Sequence, residues 1–253
     1  MHLRPFRLGT AAVSWIGLVR GANEDVASVN GERAGVLSAA ACVRPRHVLL
    51  VADGMGGHVG GAVASGLAVG FLEAHKAELV DRNAAAALVK AANRTIYAAA
   101  DRAPDLRGMG TTIAVAAASA TEVLWVNAGD SRIYLASRSG LRQISVDHAI
   151  GPALTQALGG ADQLTEVAPA SGVASWGPGD RLLLCSDGLT DVVDDAELAA
   201  VLRVRRNDAV AARDLLRLTR ERGAPDNVTL VIATNAVDTA VLPHQRGRPR
   251  KGA

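Results

Sequence analysis

Apolar and polar positions follow two patterns along the chain. Short apolar runs bounded by turn residues predict strands at residues 10–19, 26–30, 36–42, 48–52, 111–118, 123–127, 132–136, 164–167, 181–185 and 227–234. Longer stretches with apolar residues at helical spacing predict helices at residues 57–79, 83–103, 195–204 and 209–222, with a short helical piece at residues 154–158.

The order of these elements is strands, a helix pair, strands, a second helix pair and a last strand. This order favours an α+β fold over a doubly wound parallel sheet, because the helix pairs separate runs of antiparallel strands. Two sheets packed face to face, with a helix pair outside each, would bury both pairs. The sequence therefore predicts a four-layer αββα sandwich, formed by a single domain over residues 1–238.

Composition narrows the class of partner. Apolar residues make up 49% of the 253 residues and aromatic residues only 3%, so the core must consist mainly of Ala, Val and Leu. A net charge of +2, with 27 basic and 25 acidic residues, gives no reason to expect nucleic acid or a membrane as the main partner. We expect a monomer.

Residues 239–253 are basic and contain little that could be buried, which predicts a flexible tail. A solvated tail and a docking segment for an acidic partner both fit this composition. The two cysteines, Cys42 and Cys185, form no CxxC pair, so we expect no disulfide framework and a cytoplasmic location.

Four aspartates stand in separate turns that adjoin apolar runs. Asp53, Asp130 and Asp187 follow such runs, and Asp226 precedes one. Carboxylates gathered at strand ends, with glycine carbonyl groups beside them, can hold hard divalent cations through oxygen. Each turn also has a simpler reading, as an aspartate that only caps its turn, and a helix N-cap is the alternative for Asp191.

A polar segment near the N-terminus, VRGANED, contains Arg20, Glu24 and Asp25. A planar guanidinium group is suited to binding phosphate through paired hydrogen bonds, and the two acids could orient metal-bound water. The alternative is a solvated loop.

Taken together, these segments resemble the metal-dependent protein phosphatases, the type 2C serine/threonine phosphatases. The resemblance extends over residues 17–233 and includes eight segments in the family's order: VRGANED, VADGMGGH, MGTT, VNAGDSRIYL, VDH, LTQALGG, GDRLLLCSDGLTDVV and GAPDNVTLVIA. The details are similar to the bacterial branch that opposes Hanks-type kinases.

The resemblance implies a role for each matching residue. Asp53 would bridge two Mn²⁺ or Mg²⁺ ions, the Gly54 carbonyl would complete one site with Glu24 and Asp25 acting through water, and Asp187 and Asp226 would hold the other ion. Asp130 and Asp191 match positions of a third, weaker ion, and Arg20 matches the phosphate-binding arginine. The implied substrates are phosphorylated proteins, with a cognate kinase as a partner.

The sequence departs from the family pattern at two places. Met55 stands where some relatives have a histidine proposed as general acid, and nearby His58 is either catalytic or the start of a helix. His148 is expected to be structural, which leaves water as the candidate proton donor. The segment AIGPA replaces a longer flap, which predicts an open site with little sequence preference.

Two other functions were weighed against a protein phosphatase. A non-catalytic binding module with the same fold would be expected to lose metal ligands, whereas this chain keeps them. A hydrolase of small phosphoesters would differ only in its substrate.

Overall fold

The computed structural model describes residues 4–56, 60–151 and 153–236. Its strands are, in chain order, β1 (Phe6–Trp15), β2 (Val26–Val29), β3 (Glu32–Arg33), β4 (Ser38–Arg44), β5 (His47–Ala52), β6 (Gly54–Met55), β7 (Gly110–Thr111), β8 (Ile113–Ala118), β9 (Glu122–Ala128), β10 (Arg132–Ser137), β11 (Gly140–Gln143), β12 (Ala149–Ile150), β13 (Ala153–Leu154), β14 (Leu158–Gly159), β15 (Ala170–Ser175), β16 (Arg181–Cys185) and β17 (Val228–Asn235). Its helices are α1 (Gly60–Ala74), α2 (Arg82–Ala100), α3 (Asp187–Thr190), α4 (Asp195–Val204) and α5 (Asp208–Glu221), with 3₁₀ turns at Lys76–Glu78 and Pro104–Leu106.

Two six-stranded antiparallel sheets form the centre of the molecule. The first has the order β11-β10-β16-β17-β1-β4 and the second the order β15-β9-β8-β5-β2-β3. The described strands also form a small sheet, β14-β7-β6, and a hairpin, β12-β13.

Three apolar cores separate four layers. The middle core lies between the two sheets and includes Leu8, Leu49 and Leu182. A second core packs the outer face of the second sheet against α1 and α2, and a third packs the first sheet against α4 and α5. The predicted αββα sandwich is therefore confirmed.

Strand β5 shows why the apolar runs are continuous rather than alternating. All six of its residues are buried. Leu49 and Val51 face the middle core, whereas Val48, Leu50 and Ala52 face the helix pair. Because successive side chains point to opposite faces of a sheet, a strand covered on both sides must be apolar throughout.

The helix ends are set by local polar residues. Asp81 caps α2 by accepting a hydrogen bond from the Ala84 N–H at 2.9 Å. Asp194, not Asp191, caps α4, and it forms a capping box with Glu197. The N-cap alternative for Asp191 is therefore wrong, since Asp191 lies at the C-terminal end of α3.

Two of the predicted elements are wrong. Residues 154–158 are not helical, because they cross from β13 to β14, and residues 164–167 belong to no strand or helix. The strand in this region is β15, which pairs with β9. Its sequence, ASGVAS, was overlooked because an edge strand with a partly exposed face carries few apolar residues.

Candidate active site

The candidate site lies at one edge of the sandwich, where strand ends from both sheets meet. Asp53 follows the last residue of β5, Asp187 comes two residues after β16, and Asp226 comes two residues before β17. The three carboxyl groups line one cavity of about 870 Å³. Carboxylates from both sheets are thus brought to a common cleft, as the sequence predicted.

Most of the predicted site residues line this cavity: Arg20, Glu24, Asp53, Gly54, Asp130, Asp187 and Asp226. Asp25 lies beneath it, with only 6% of its surface exposed. Asp191 is exposed at the C-terminal end of α3 and does not contribute to the cavity wall among the described residues. His58 lies outside the described residues, and Met55 lines the cavity.

Two threonines from the MGTT segment fix the backbone of Asp53. The Thr111 hydroxyl donates to the Asp53 carbonyl oxygen at 2.9 Å, and the Thr112 N–H donates to the same oxygen at 2.8 Å. The Asp53 N–H in turn donates to Thr112 Oγ1 at 3.0 Å. No role is predicted for these threonines by the sequence pattern, although two adjacent hydroxyl groups after a glycine are a visible signal.

The loop that carries Arg20 and Glu24 is held by Asn227. The Asn227 side-chain amide donates to the carbonyl oxygens of Ile16 at 2.8 Å and Ala22 at 2.9 Å. Its Oδ1 atom accepts from the Glu24 N–H at 2.9 Å. From the sequence, Asn227 is notable only as the neighbour of Asp226, because a contact across more than 200 positions leaves no local pattern.

Two glycines let backbone segments meet at the site. A Cβ on Gly188 would overlap the Asn227 carbonyl oxygen, so only glycine lets α3 approach the start of β17. A Cβ on Gly54 would overlap the Gly61 carbonyl oxygen at the start of α1. These contacts explain why DG follows a strand at both positions.

Burial and mutual repulsion raise the pKa values of the clustered carboxyl groups. Burial, followed by the charges of Asp25 and Asp187, raises the pKa of Asp53 well above its ordinary value of 3.8. Burial also raises the pKa of Asp25 to about 7, although a hydrogen bond from Ser186 opposes the shift. Burial and the charge of Asp187 raise the pKa of Asp130 to about 6 and raise that of Asp191 as well.

Two carboxyl oxygens, one at the cleft and one beneath it, have unused hydrogen-bonding capacity. Within the described part of the chain, Asp25 Oδ1 and Asp187 Oδ1 are buried without a hydrogen-bond partner. A buried acceptor left unpaired is costly, and an oxygen-liganded cation would satisfy it. With Glu24, Asp53, Asp226 and the Gly54 carbonyl nearby, the donor set is all oxygen and fits Mn²⁺ or Mg²⁺ better than a thiolate-binding metal.

Arg20 is paired with one of the predicted metal ligands. Its Nη2 atom lies 2.5 Å from Asp226 Oδ2, and this contact, together with the charge of Asp226, raises the pKa of the guanidinium group. The Arg20 side chain is 57% exposed, so it reaches the mouth of the cavity.

The carboxylates share a cleft but do not form a closed cage. Over residues 4–56, 60–151 and 153–236, no group of three or more His, Cys, Asp or Glu side chains could by itself hold a metal ion. The charge of Asp187 acts on the pKa of Asp53, whereas Asp226 accepts a hydrogen bond from Arg20. Backbone carbonyl groups and water commonly complete the coordination of small hard cations. Side chains that share one cleft are therefore sufficient, and the oxygen atoms of this cleft fit Mn²⁺ or Mg²⁺.

Comparison with known proteins places this geometry in a family. The family model described as Stage II sporulation protein E (SpoIIE) matches residues 44–235. The serine/threonine protein phosphatase PstP of Mycobacterium tuberculosis is 36% identical over 249 residues, covering 88% of this chain and 44% of that protein. The serine/threonine phosphatase stp of Listeria innocua is 31% identical over 209 residues, covering 73% of this chain and 83% of that protein.

A solved structure gives the same result. The catalytic domain of PstP in complex with two manganese ions superposes with a TM-score of 0.75 at 35% identity, covering 91% of this chain and 100% of that chain. The chain spans less than half the length of full PstP. These matches define a class of protein, and the chain belongs to the metal-dependent, type 2C protein phosphatase family. Within that class, the similarity is to bacterial serine/threonine phosphatases, which confirms the resemblance read from the motifs.

No helix among the described residues has the length and apolarity needed to cross a bilayer.

Proposed function

We propose that this chain hydrolyses phosphoserine and phosphothreonine in proteins, with Mn²⁺ or Mg²⁺ ions in the cleft. The observation that carries the proposal is the shared cavity, in which half-buried carboxyl groups from both sheets lie beside an exposed arginine. The two manganese ions in the PstP structure support the choice of metal.

Specific residues are assigned to the ions. Asp53 would hold both ions, and the Gly54 carbonyl, Glu24 and Asp25 would complete one site, the two acids acting through water. Asp187 and Asp226 would hold the other ion. The buried, unpaired oxygen atoms of Asp25 and Asp187 support this assignment.

A third, weaker site is proposed at Asp130 and Asp191 together with Asp187. It is supported by the charge of Asp187, which acts on the pKa values of both other residues.

The chemistry of the protein residues follows from their positions. Bound divalent ions would lower the pKa of a shared water molecule and screen the charge on the phosphate. Arg20 would leave Asp226 and hold the non-bridging phosphate oxygens, because its guanidinium group is exposed at the mouth of the cleft. Met55 cannot donate a proton, so we assign protonation of the leaving serine or threonine oxygen to water.

The setting of this activity is also a proposal. Similarity to bacterial serine/threonine phosphatases supports a signalling role opposite a cognate kinase. Both cysteines are described and are free thiols, which supports a reducing, cytoplasmic location. Three apolar cores that close within one chain support a monomer.

Phosphate release from a phosphothreonine peptide, measured with and without Mn²⁺, tests the proposal. Wild type should release phosphate only with the cation, and Asp187→Asn should lose activity. Glu122→Gln, which changes an exposed acid at the start of β9, is the matched control and should behave as wild type. Hydrolysis of small aryl phosphates without any hydrolysis of the peptide would favour a small-phosphoester hydrolase, and no cation-dependent hydrolysis at all would indicate a binding module.

A further inference from the structure

One wall of the cavity is formed by the segment of residues 155–166, which we call the acidic wall. Its residues Thr155, Gln156, Thr165 and Glu166 line the same cavity as the aspartates. This wall follows the short β12–β13 hairpin, in the segment for which the family resemblance implies a longer flap. It is therefore a part of this chain that can meet the residues flanking a phosphorylated side chain.

The acidic wall is rigidly attached to α2. The Asn93 side chain is 2% exposed, and it donates to the Thr165 carbonyl oxygen at 2.8 Å while accepting from the Gly159 N–H at 2.7 Å. The Tyr97 hydroxyl donates to the Gly159 carbonyl oxygen at 3.1 Å. A buried amide that bonds the middle of the segment at Gly159 and its C-terminal part at Thr165 fixes the positions from which the side chains project.

The start of the acidic wall is also joined to the chain just beyond its last residue. The Ala168 N–H donates to Gln156 Oε1 at 2.8 Å, which joins residues twelve positions apart. The wall therefore offers a preformed surface, and a substrate need not order it on binding.

Charge along this part of the chain has one sign. Between His148 and Arg181 the sequence contains no Lys, Arg or His, whereas Asp162, Glu166 and Asp180 are acidic. Glu166 is the acid among these three that lines the cavity. Its side chain is 67% exposed, and its contact with Arg94 spans 3.9 Å between two exposed groups. Such surface pairs are weak, so Glu166 is available to another cation.

We propose that Glu166 is a specificity-determining residue that favours phosphopeptides with arginine or lysine beside the phosphorylated residue. This inference rests on the proposed phosphatase function. It also modifies the expectation drawn from the short flap, because the acidic wall supplies a modest preference where the flap would have supplied a larger one. The size should be that of an exposed ion pair, roughly a three- to fivefold preference.

Three phosphothreonine peptides of equal length test this inference, with the flanking positions on both sides occupied by Arg, Gln or Glu. Wild type should show the highest kcat/KM for the Arg peptide and the lowest for the Glu peptide. Glu166→Gln should reduce the Arg-to-Gln ratio about three- to fivefold. The change should fall on KM, because a contact remote from the reacting atoms holds substrate and transition state equally.

Asp162→Asn is the matched control, since Asp162 is an exposed acid of the same wall that does not line the cavity. It should keep the wild-type ratio and should hydrolyse p-nitrophenyl phosphate within about twofold of wild type, because an exposed side chain outside the cavity does not contact that substrate.

An unchanged ratio in Glu166→Gln would overturn the inference. So would an equal reduction in Asp162→Asn, or a change confined to kcat. If wild type hydrolysed p-nitrophenyl phosphate, and hydrolysed all three peptides at equal rates, the proposed specificity would be wrong and the proposed phosphatase function would still hold. If it hydrolysed none of these substrates, both proposals would be wrong.

Discussion

Strands β16 and β17 have a charged side chain at each end of their pair, and the two side chains differ in how far their hydrogen bonds are satisfied. At one end Arg181 is 7% exposed and donates to Asp208 Oδ1 at 2.6 Å and to the carbonyl oxygens of Leu202 at 2.6 Å and Arg205 at 2.7 Å. At the other end Asp187 keeps a buried oxygen without a partner. We call the Arg181 end saturated, because its hydrogen bonds are satisfied, and it stabilises the fold. We call the Asp187 end unsaturated, because an oxygen atom there has no partner, and it keeps the capacity to bind a ligand.

The largest expected effect comes from breaking the saturated end. Arg181→Met leaves Asp208 buried without its cation, which should lower the free energy of unfolding by about 3–5 kcal/mol. Urea denaturation followed by circular dichroism measures this change. Arg205→Met is the matched control, because Arg205 pairs with Asp214 at 2.5 Å but is 48% exposed, and it should cost less than about 1 kcal/mol. Equal losses in the two variants would contradict the comparison.

The next effect concerns the unsaturated end. Asp187→Asn removes a charge from the cleft and should reduce kcat with Mn²⁺ by about 10²–10³-fold. The cation-free variant should melt no lower than wild type, because a buried charge without a partner has been removed. Steady-state kinetics test the expected fall in kcat, and calorimetric melting tests the expected melting temperature. A variant with activity close to wild type, or with a clearly lower melting temperature, would show that Asp187 has a structural role.

The pH dependence of cation-free stability is the third test. The pKa of Asp25 is about 7 in the fold against an ordinary 3.8, so the folded state binds this proton more tightly than the unfolded chain. The free energy of unfolding should therefore fall as pH rises from 5 to 8, by on the order of 2 kcal/mol. Urea titrations with a chelator at several pH values measure it, and Asp25→Asn should flatten the curve. Stability that rises over this range would exclude the raised pKa.

The smallest expected effect is on the exposed ion pair at the cleft. Arg20→Gln removes a contact in which the Arg20 side chain is 57% exposed, so unfolding should change by less than about 1 kcal/mol. Phosphatase activity should nevertheless fall, because Arg20 is assigned to the phosphate. A loss of stability as large as that of Arg181→Met would show that Arg20, like Arg181, has a structural role.

The sequence predicted the architecture well because the strands are covered on both faces. Continuous apolar runs such as β5 mark buried strands even without alternation, and both helix pairs have helical spacing. The carboxylates were found because each adjoins such a run at Asp53, Asp187 and Asp226. The predicted tail at residues 239–253 lies outside the described residues and stays a prediction.

Long-range polar contacts were beyond the reach of sequence patterns. Asn227 holds a loop more than 200 positions away, and Asn93 fixes the acidic wall across about 70 positions. The pairing of Arg20 with Asp226 also spans more than 200 positions, so the sequence predicts a separate role for each residue and not their contact. Edge elements such as β15 were misplaced because a partly exposed strand needs few apolar residues.

Titration calorimetry of the purified protein with Mn²⁺ tests the central claim most directly. If the aspartates at the strand ends form a binuclear site, wild type should bind two ions per chain, and Asp53→Asn should lose binding while remaining folded. Absence of Mn²⁺ binding by folded wild type, or unchanged binding by Asp53→Asn, would contradict the account.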